Sequence, residues 1–364
     1  MTFEIGLIFS TTGPYARLGR AALAGARHAL ADLAAEGTEV SVRAVDPAGI
    51  PENYERMTDA VLADGRVRHV VGAITSWSRK DMIPVLERHG AVLWYPCPYE
   101  GFEINDHVIY LGAAPNHHMV PLVERLAASG TRTAYLLGSN YVWGWETLRL
   151  ARDLFGRHGI DVVGERYVPL GSDECGLALA EVERSEPDVV VNSLIGPSNA
   201  AFMSALGPAR PTVVSCNQTE ADLDTIGPAG DGLISAGSFF EDLAPASYAA
   251  AAKEVSPNGR VSSFFATSYT AVRLIADAAA EAGTDDPRRV FEAVSARPRP
   301  SVLGPIEIDP VTRHASLTPH IAEARGGRFE VIHSAAAPVP ADPYLSVLSS
   351  RPVGAAAPNL RIVQ

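Results

Sequence analysis

The chain has 364 residues, 47% of them hydrophobic, and a formal net charge of -12. This length favours two lobes over a single domain. The acidic charge argues against direct binding of nucleic acid, which needs a basic face, and no apolar run approaches the roughly 18 residues of a membrane span.

The first part of the chain alternates short apolar segments with helical patterns. Predicted strands cover 3–10, 39–46, 66–74, 91–95 and 108–112. Predicted helices cover 17–36 and 51–64, and a third precedes the fourth strand. The apolar residues of the first strand run together rather than alternate, which indicates a strand buried on both faces.

A second run of the same kind follows. Predicted strands cover 131–140, 161–170, 188–196, 211–220 and 233–240, with helices between them at 115–129, 145–158, 173–185 and 197–206. Two helices at 262–282 and 287–295 come next, then strand-like segments at 304–309, 320–324 and 328–333, and an irregular tail over the last thirty residues. This alternation predicts an α/β fold with two Rossmann-like lobes, parallel sheets and right-handed crossovers.

Polar and aromatic residues gather where predicted strands end. Ser76-Trp77 and Tyr95–Tyr99 do so in the first run, and 139–143, 195–198 and 217–220 do so in the second. In open parallel sheets, ligands bind outside the carboxyl ends of the strands. Because no charged residue lies between Tyr95 and Tyr99, the sequence predicts a cleft for a small neutral molecule.

The cysteines and the N-terminus bear on the compartment. Cys97, Cys175 and Cys216 are odd in number and lack CxxC spacing, which fits free thiols in a reducing cytoplasm. No basic segment followed by an apolar stretch precedes the first strand, so a secretory signal is not expected. These features predict a cytoplasmic protein.

Seven short motifs spread over the chain carry a resemblance to a known family. They are IGLIFSTTG near the start, SWSRK (76–80), YPCPYEGFE (95–103), APN (114–116), GSNY (138–141), TEA (219–221) and DPY (342–344). With them the chain resembles the type I periplasmic-binding-protein fold, most closely the cytoplasmic amide-binding negative regulators of bacterial aliphatic amidase operons (AmiC type). Urea and amide transport receptors are related to these regulators.

The resemblance implies a site, two lobes and partners. The ligand-binding residues would be Ser76, Tyr95, Cys97, Pro98, Tyr141, Trp143, Gln218 and Thr219. One lobe would comprise 1–114 plus 246–317, and the other 115–245 plus 318–364. The ligand would be a small aliphatic amide or urea. The free protein would sequester an RNA-binding antiterminator and release it on binding amide; a homodimer is left open.

Two residues depart from the family pattern and bear on which amide is bound. Cys97 stands where the family has Thr, and Trp143-Gly144-Trp145 stands where it has aromatic-Pro-Arg. A bulkier or more apolar amide is therefore an alternative to acetamide. No catalytic residue, cofactor or metal is predicted, since no nucleophile motif or metal-ligand spacing occurs and His117-His118 point to different faces.

Simpler interpretations stand beside these. Ser76 could cap a helix that begins near Ser78, Tyr95 and Tyr141 could be core aromatics, and Cys97 an inert thiol. The pair at 79–80 is expected on a solvated helix face or on a partner surface. At the level of function, the alternatives are a transport receptor for urea or short amides, an amide-processing enzyme, and an amino-acid receptor, which would need Glu100 or Glu220 as the partner of the ammonium group.

Overall fold

Two β-sheets organise residues 3–207 and 210–349, the part of the chain that this computed structural model describes. The strands of the first sheet are β1 (Phe3–Ile8), β2 (Val40–Val45), β3 (Val67–Gly72), β4 (Val92–Tyr95) and β5 (Val108–Tyr110). They pair in the order β2-β1-β3-β4-β5, and all are parallel. This sheet and its helices form the first lobe.

The second sheet has a parallel core and an antiparallel edge. Its strands are β6 (Thr133–Ser139), β7 (Asp161–Val168), β8 (Val189–Ser193), β9 (Thr212–Ser215), β10 (Ile234–Gly237), β11 (His320–Arg325) and β12 (Arg328–Ser334). The order is β12-β11-β10-β9-β8-β6-β7, with β11 and β12 antiparallel to their neighbours. This sheet and its helices form the second lobe.

Helices cover the faces of both sheets. They are α1 (Ala16–Ala35), α2 (Pro51–Leu62), α3 (Ser76–His89), α4 (Pro115–Ala128), α5 (Val142–His158), α6 (Gly176–Ser185), α7 (Pro197–Ala205), α8 (Glu220–Ile226), α9 (Ala246–Val255), α10 (Ser263–Ala282), α11 (Pro287–Ser295) and α12 (Ser346–Ser349). The predicted two-lobe α/β architecture is confirmed.

The chain returns to the first lobe through α10, which packs along α1. A Cβ atom on Gly25 would lie 2.0 Å from the carbonyl oxygen of Phe265, so only glycine permits this approach of the two helices. The β11–β12 pair then joins the second sheet. The chain therefore leaves the first sheet after β5, returns to its lobe after β10 and rejoins the second sheet at β11. The lobe boundaries predicted from the sequence stay a prediction.

Some local predictions are wrong. The segment 304–309 forms isolated bridges to Arg299 and Ala315 instead of a strand, because its pairing stops after single residues. Helices α8 and α9 were not predicted, since α8 is short and α9 lacks a sustained apolar stripe. Of the irregular tail, the part beyond residue 349 lies outside the described residues.

Candidate functional site

A small cavity lies between the lobes, and we call it the cleft cavity. Its lining residues are Leu18, Ile74, Ser76, Tyr95, Cys97, Pro98, Tyr141, Trp143, Ile195, Asn217 and Phe264. Most of them directly follow β3, β4, β6, β8 or β9, so the carboxyl ends of strands in both lobes meet there. The space open to the centre of a water molecule is about 20 Å³, so the cavity is small.

Six of the eight predicted site residues line this cavity. The other two, Gln218 and Thr219, line a neighbouring cavity of similar size at the hinge. The Gln218 side chain bonds to Asn199 at 2.5 Å and to the Leu194 carbonyl at 2.9 Å. Thr219 caps α8 by accepting from the Ala221 N–H. Both side chains therefore serve the second lobe's own loops in this conformation.

Local structure at the end of β3 positions Ser76. Thr75 is the N-cap of α3, and its side-chain oxygen accepts a hydrogen bond from the Ser78 N–H. In return, the Thr75 N–H donates to the hydroxyl oxygen of Ser78. The interpretation of Ser76 as the cap is therefore wrong: Ser76 is the first helical residue. Its hydroxyl is buried and donates to Oε2 of Glu100 at 2.5 Å.

Two further polar side chains of the first lobe donate hydrogen bonds to backbone carbonyl groups. The Tyr95 hydroxyl donates to the Ile74 carbonyl at 3.2 Å, and the Cys97 thiol donates to the Ala73 carbonyl at 3.4 Å. Ala73 itself has a φ of 61°, a left-handed conformation that costs energy for a residue with a Cβ atom. The strained backbone at Ala73 and the two side-chain hydrogen bonds therefore lie together at residues 73–74, next to the cavity.

Tyr141, Trp143 and Asn217 line the wall from the second lobe. The Trp143 indole N–H is buried and has no hydrogen-bond partner among the described residues. The Asn217 amide is engaged, because it donates to the Leu194 carbonyl at 3.1 Å. A buried N–H without a partner is costly, so an acceptor placed against Trp143 would remove that cost.

The structure overturns the prediction for Arg79, which is fully buried rather than solvated. Its guanidinium donates to Glu103 at 2.7 Å and to Glu100 at 2.9 Å, and it lies over the ring of Tyr95 at 4.7 Å. Lys80 remains on the surface and bonds to Glu103 at 2.6 Å. Two cations and two carboxylates therefore balance directly behind the cavity.

Burial sets the protonation of the site. It raises the pKa of the Tyr95 and Tyr141 hydroxyls well above their usual value, and it raises the pKa of the Cys97 thiol. All three groups are protonated and neutral near pH 7. A nucleophilic Cys97 would need a lowered pKa, so the arrangement does not support covalent catalysis at this thiol.

For Arg79, burial alone would lower the pKa, but the charges of Glu100 and Glu103 outweigh burial and raise it well above the usual value. Burial would raise the pKa of Glu103, but Arg79 and Lys80 hold it at about 2. The Arg79 guanidinium and the Glu103 carboxylate therefore stay charged across the physiological range.

The cleft is closed. Trp77 of the first lobe packs edge-on against Tyr141 and Trp145 of the second, with ring centroids 5.6 and 6.3 Å apart. Sequence reasoning did not anticipate Trp77 as a contact between the lobes.

Five lining residues of the cleft cavity are not among the eight predicted site residues. Ile195 and Asn217 belong to the strand-end segments 195–198 and 217–220 that the sequence placed at the cleft, and Ile74 ends a predicted strand. Leu18 and Phe264 lie at helix starts, and Phe264 is far from the other lining residues in sequence. No local pattern identifies them.

Within residues 3–207 and 210–349, no group of three His, Cys, Asp or Glu side chains is arranged to hold a metal ion. None of the helices in the same ranges is long and apolar enough to cross a membrane.

Comparison with known proteins places this geometry in context. The sequence profile of the family described as periplasmic binding protein domain matches residues 3–350. A solute-binding protein of an ABC transporter from R. palustris, solved with benzoate, superposes with a TM-score of 0.85 at 20% identity, covering 94% of this chain and 98% of that one.

Two amino-acid receptors have the same fold. The amino acid ABC transporter substrate-binding protein from Pseudomonas fluorescens Pf-5 has a TM-score of 0.80 at 18% identity, covering 94% of this chain and 97% of that one. The branched-chain amino acid transporter substrate-binding protein from Streptococcus pneumoniae, solved with isoleucine, has a TM-score of 0.78 at 17% identity, covering 92% and 99%. These likenesses show the fold.

Proposed function

The chain belongs to the periplasmic binding protein domain family, and on that premise we propose that it is a non-enzymatic binding protein for a small neutral amide or urea. We further propose that it serves as the substrate-binding receptor of a transporter. The ligand would occupy the cleft cavity and stabilise the closed arrangement of the lobes.

The small, uncharged lining of the cleft cavity carries this proposal. Its polar side chains are hydroxyl, thiol, indole and amide groups, and the charged residues Arg79, Glu100 and Glu103 pair with one another outside the lining. The small volume of the cavity suits a ligand of few heavy atoms. An aromatic acid, such as the benzoate bound to the R. palustris protein, would need both a larger space and a cation.

An amino-acid ligand is disfavoured for a related reason. Its ammonium group needs an anionic partner, and the Glu100 carboxylate already accepts from Arg79 and Ser76 with its two oxygens. Glu220, the other acid considered, faces the Glu241 backbone N–H, which donates to it at 2.8 Å. The Glu100 carboxylate is therefore not available without breaking a buried contact, and Glu220 does not line the cleft cavity.

A thermal-shift screen tests the ligand class. Formamide, acetamide, propionamide, butyramide, urea, acetate, benzoate and isoleucine are compared, because a ligand that binds only the folded state raises the melting temperature by mass action. Amides or urea should raise it and the acids should not. At a ceiling of about 1.5 kcal/mol per heavy atom, acetamide binds no tighter than roughly tens of micromolar, so millimolar ligand is needed. Stabilisation by benzoate or isoleucine alone would contradict the proposal.

A second candidate role uses the same site. The sequence resemblance to amidase-operon regulators rests on YPCPYEGFE and GSNY, and Tyr95, Pro98 and Tyr141 from these motifs line the cleft cavity. In this role a cytoplasmic protein would sequester an RNA-binding antiterminator and release it on binding amide.

The two roles differ in partner and in compartment. Pull-down from cells grown without amide should recover an RNA-binding protein, and added amide should reduce its recovery, if the regulatory role holds. Fractionation of the same cells places the chain inside or outside the cytoplasm. Amide binding together with an extracytoplasmic location and no such partner favours the receptor. Release of ammonia from bound amide would instead indicate an enzyme.

A further inference from the structure

Three polar side chains of the first lobe line the cleft cavity, but each donates its proton to an acceptor within the first lobe instead of to the cavity. Ser76 donates to Glu100 at 2.5 Å, Tyr95 donates to the Ile74 carbonyl at 3.2 Å, and Cys97 donates to the Ala73 carbonyl at 3.4 Å. Each hydroxyl or thiol has a single proton. Toward the cavity these groups can therefore offer lone pairs only.

Ser76 makes the strongest of these commitments, because its acceptor is charged. Hydrogen bonds to a carboxylate are shorter and about twice as strong as neutral ones. Glu100 is only 2% exposed, and its second oxygen accepts from Arg79 at 2.9 Å. Arg79 is held in turn by Glu103 at 2.7 Å. The carboxylate is thus held through both oxygens, by Ser76 at Oε2 and by Arg79 at Oε1, with the Lys80 ammonium 3.9 Å from Oε1.

Reversing the Ser76 hydroxyl would leave a buried carboxylate oxygen without its donor. Such a loss costs the desolvation free energy of a charged group, which corresponds to about tenfold or more in binding. A ligand that needs a donor at Ser76, such as a carboxylate or a ketone, would have to bear that cost. A ligand that supplies an N–H would not.

The opposite wall has the complementary polarity. Tyr141 and Trp143 both line the cavity from the second lobe, and the buried Trp143 indole N–H is a donor without a partner among the described residues. A carbonyl oxygen that faces Trp143 would satisfy this N–H. An NH2 group on the same carbon would then face Ser76 and Tyr95.

We infer that Glu100 is a specificity-determining residue: by taking the Ser76 proton, it makes the first-lobe wall accept hydrogen bonds only, so that the site takes ligands with a primary amide or urea NH2 group and rejects isosteric carboxylates and ketones. Glu100 acts through Ser76 and does not itself touch the ligand. This inference deepens the proposed function and rests on it.

The first test uses three probes of equal size on the intact protein. Acetamide, acetone and acetate differ only in the group that replaces NH2. Titration calorimetry should show acetamide binding about tenfold or more tighter than acetone, with acetate weaker still. If acetone or acetate binds as tightly as acetamide, the inference is overturned while a small-ligand site remains. If no amide and no urea binds, the proposed function itself is overturned, and the inference with it.

The second test changes the carboxylate. Glu100→Gln presents an amide N–H to Ser76, which frees the serine proton for the cavity, so the preference for acetamide over acetone should fall several-fold. Glu103→Gln is the matched control, because it also removes a carboxylate partner of Arg79 but leaves the bond between Ser76 and Glu100 in place. The control should keep the wild-type preference even if its stability falls.

A double-mutant cycle with Ser76→Ala separates positioning from general damage. In the Ser76→Ala background, Glu100→Gln should no longer change the preference for acetamide over acetone. An equal loss of preference in both backgrounds, or in Glu103→Gln, would overturn the role of Glu100. Should Glu100→Gln fail to fold, Ser76→Ala decides alone: it should weaken acetamide several-fold and leave acetone unchanged, and any other ranking contradicts the inference.

Discussion

Gly196 of the second lobe lies directly against Pro14 of the first. A Cβ atom on Gly196 would be 2.2 Å from the Pro14 carbonyl oxygen, well inside van der Waals contact. Gly196 also has φ of 68° and ψ of -138°, a conformation that residues with a Cβ atom rarely adopt. The closed cleft therefore depends on the absence of a side chain at this position.

Replacing Gly196 by alanine should hold the lobes apart. The apparent dissociation constant rises in proportion as the closed fraction falls, so amide affinity should drop by several-fold to about tenfold. Titration calorimetry with acetamide measures the affinity, and small-angle scattering should show a larger radius of gyration at saturating ligand than for the wild type.

Gly227→Ala is the matched control for the backbone. Gly227 has φ of 51° and ψ of -139°, close to the values of Gly196, but no atom lies within 4 Å of its Cβ position. Both variants should lose stability through strain, and only Gly196→Ala should lose affinity. Equal losses of affinity would mean that the contact with Pro14 does not govern closure.

Cys97→Thr should tighten acetamide binding a few-fold. A hydroxyl is a stronger donor to the Ala73 carbonyl than the thiol, which bonds at 3.4 Å, and a better acceptor for an amide N–H. The thiol also makes the wall more apolar, so butyramide affinity should stay the same or weaken in the variant. Titration of both proteins with both amides measures the exchange.

Cys175→Thr supplies the comparison, because the Cys175 thiol bonds to a backbone carbonyl at the same 3.4 Å but belongs to the start of α6. Its amide affinities should equal those of the wild type. If Cys97→Thr also leaves the affinities for acetamide and butyramide unchanged, Cys97 does not contact the ligand.

Glu220 should make the protein less stable as pH rises. Burial raises its pKa from 4.5 to about 8, and its Oε2 has no partner among the described residues. Between these pH values the unfolded chain releases the proton and the folded chain keeps it, so the free energy of unfolding falls as pH increases.

Glu220→Gln removes this contribution to the pH dependence of stability. From pH 5 to pH 8, the free energy of unfolding of the variant should therefore rise relative to that of the wild type by on the order of a few kcal/mol. Urea unfolding of both proteins at these two pH values gives the difference, with pH 5 as the internal reference. A difference that does not change with pH would show that Glu220 ionises normally in the folded chain.

Five buried histidines should destabilise the protein in acid. Burial lowers the pKa of His69, His117, His118, His314 and His320 from 6.5 to about 4. Between pH 6.5 and about pH 4 these histidines bind protons in the unfolded chain but not in the folded chain, so the free energy of unfolding falls as pH drops. Burial also raises the pKa of Glu220 to about 8 and of Asp222 to about 6, and these two acids act in the opposite direction.

Burial also raises the pKa of Asp81 and Asp277, so four acids oppose the five histidines. The histidines should still leave a net loss of stability in acid, on the order of 2 kcal/mol for each histidine that an acid does not offset. Urea unfolding from pH 7 to pH 4.5 measures the slope. Nuclear magnetic resonance titration of the histidine ring protons provides the site-resolved check. Ordinary pKa values at all five rings would refute the prediction.

The sequence by itself determined the two-lobe α/β fold, since continuous apolar strands and alternating helices leave few other arrangements. It also identified the loops after β3, β4 and β6, because parallel strands bring their carboxyl ends to one edge of a sheet. Six of the eight candidate residues accordingly lie around one cavity. Their binding role, and the cytoplasmic location, stay predictions.

Only the tertiary structure decided the rest, because burial and pairing depend on segments far apart in the chain. Arg79 reads as a solvated helix residue until Glu100 and Glu103, more than twenty positions later, enclose it. Phe264 reaches the cavity because α10 crosses back to the first lobe. The direction of the Ser76 hydroxyl depends on where a carboxylate is held in space, and no local pattern of residues contains that information.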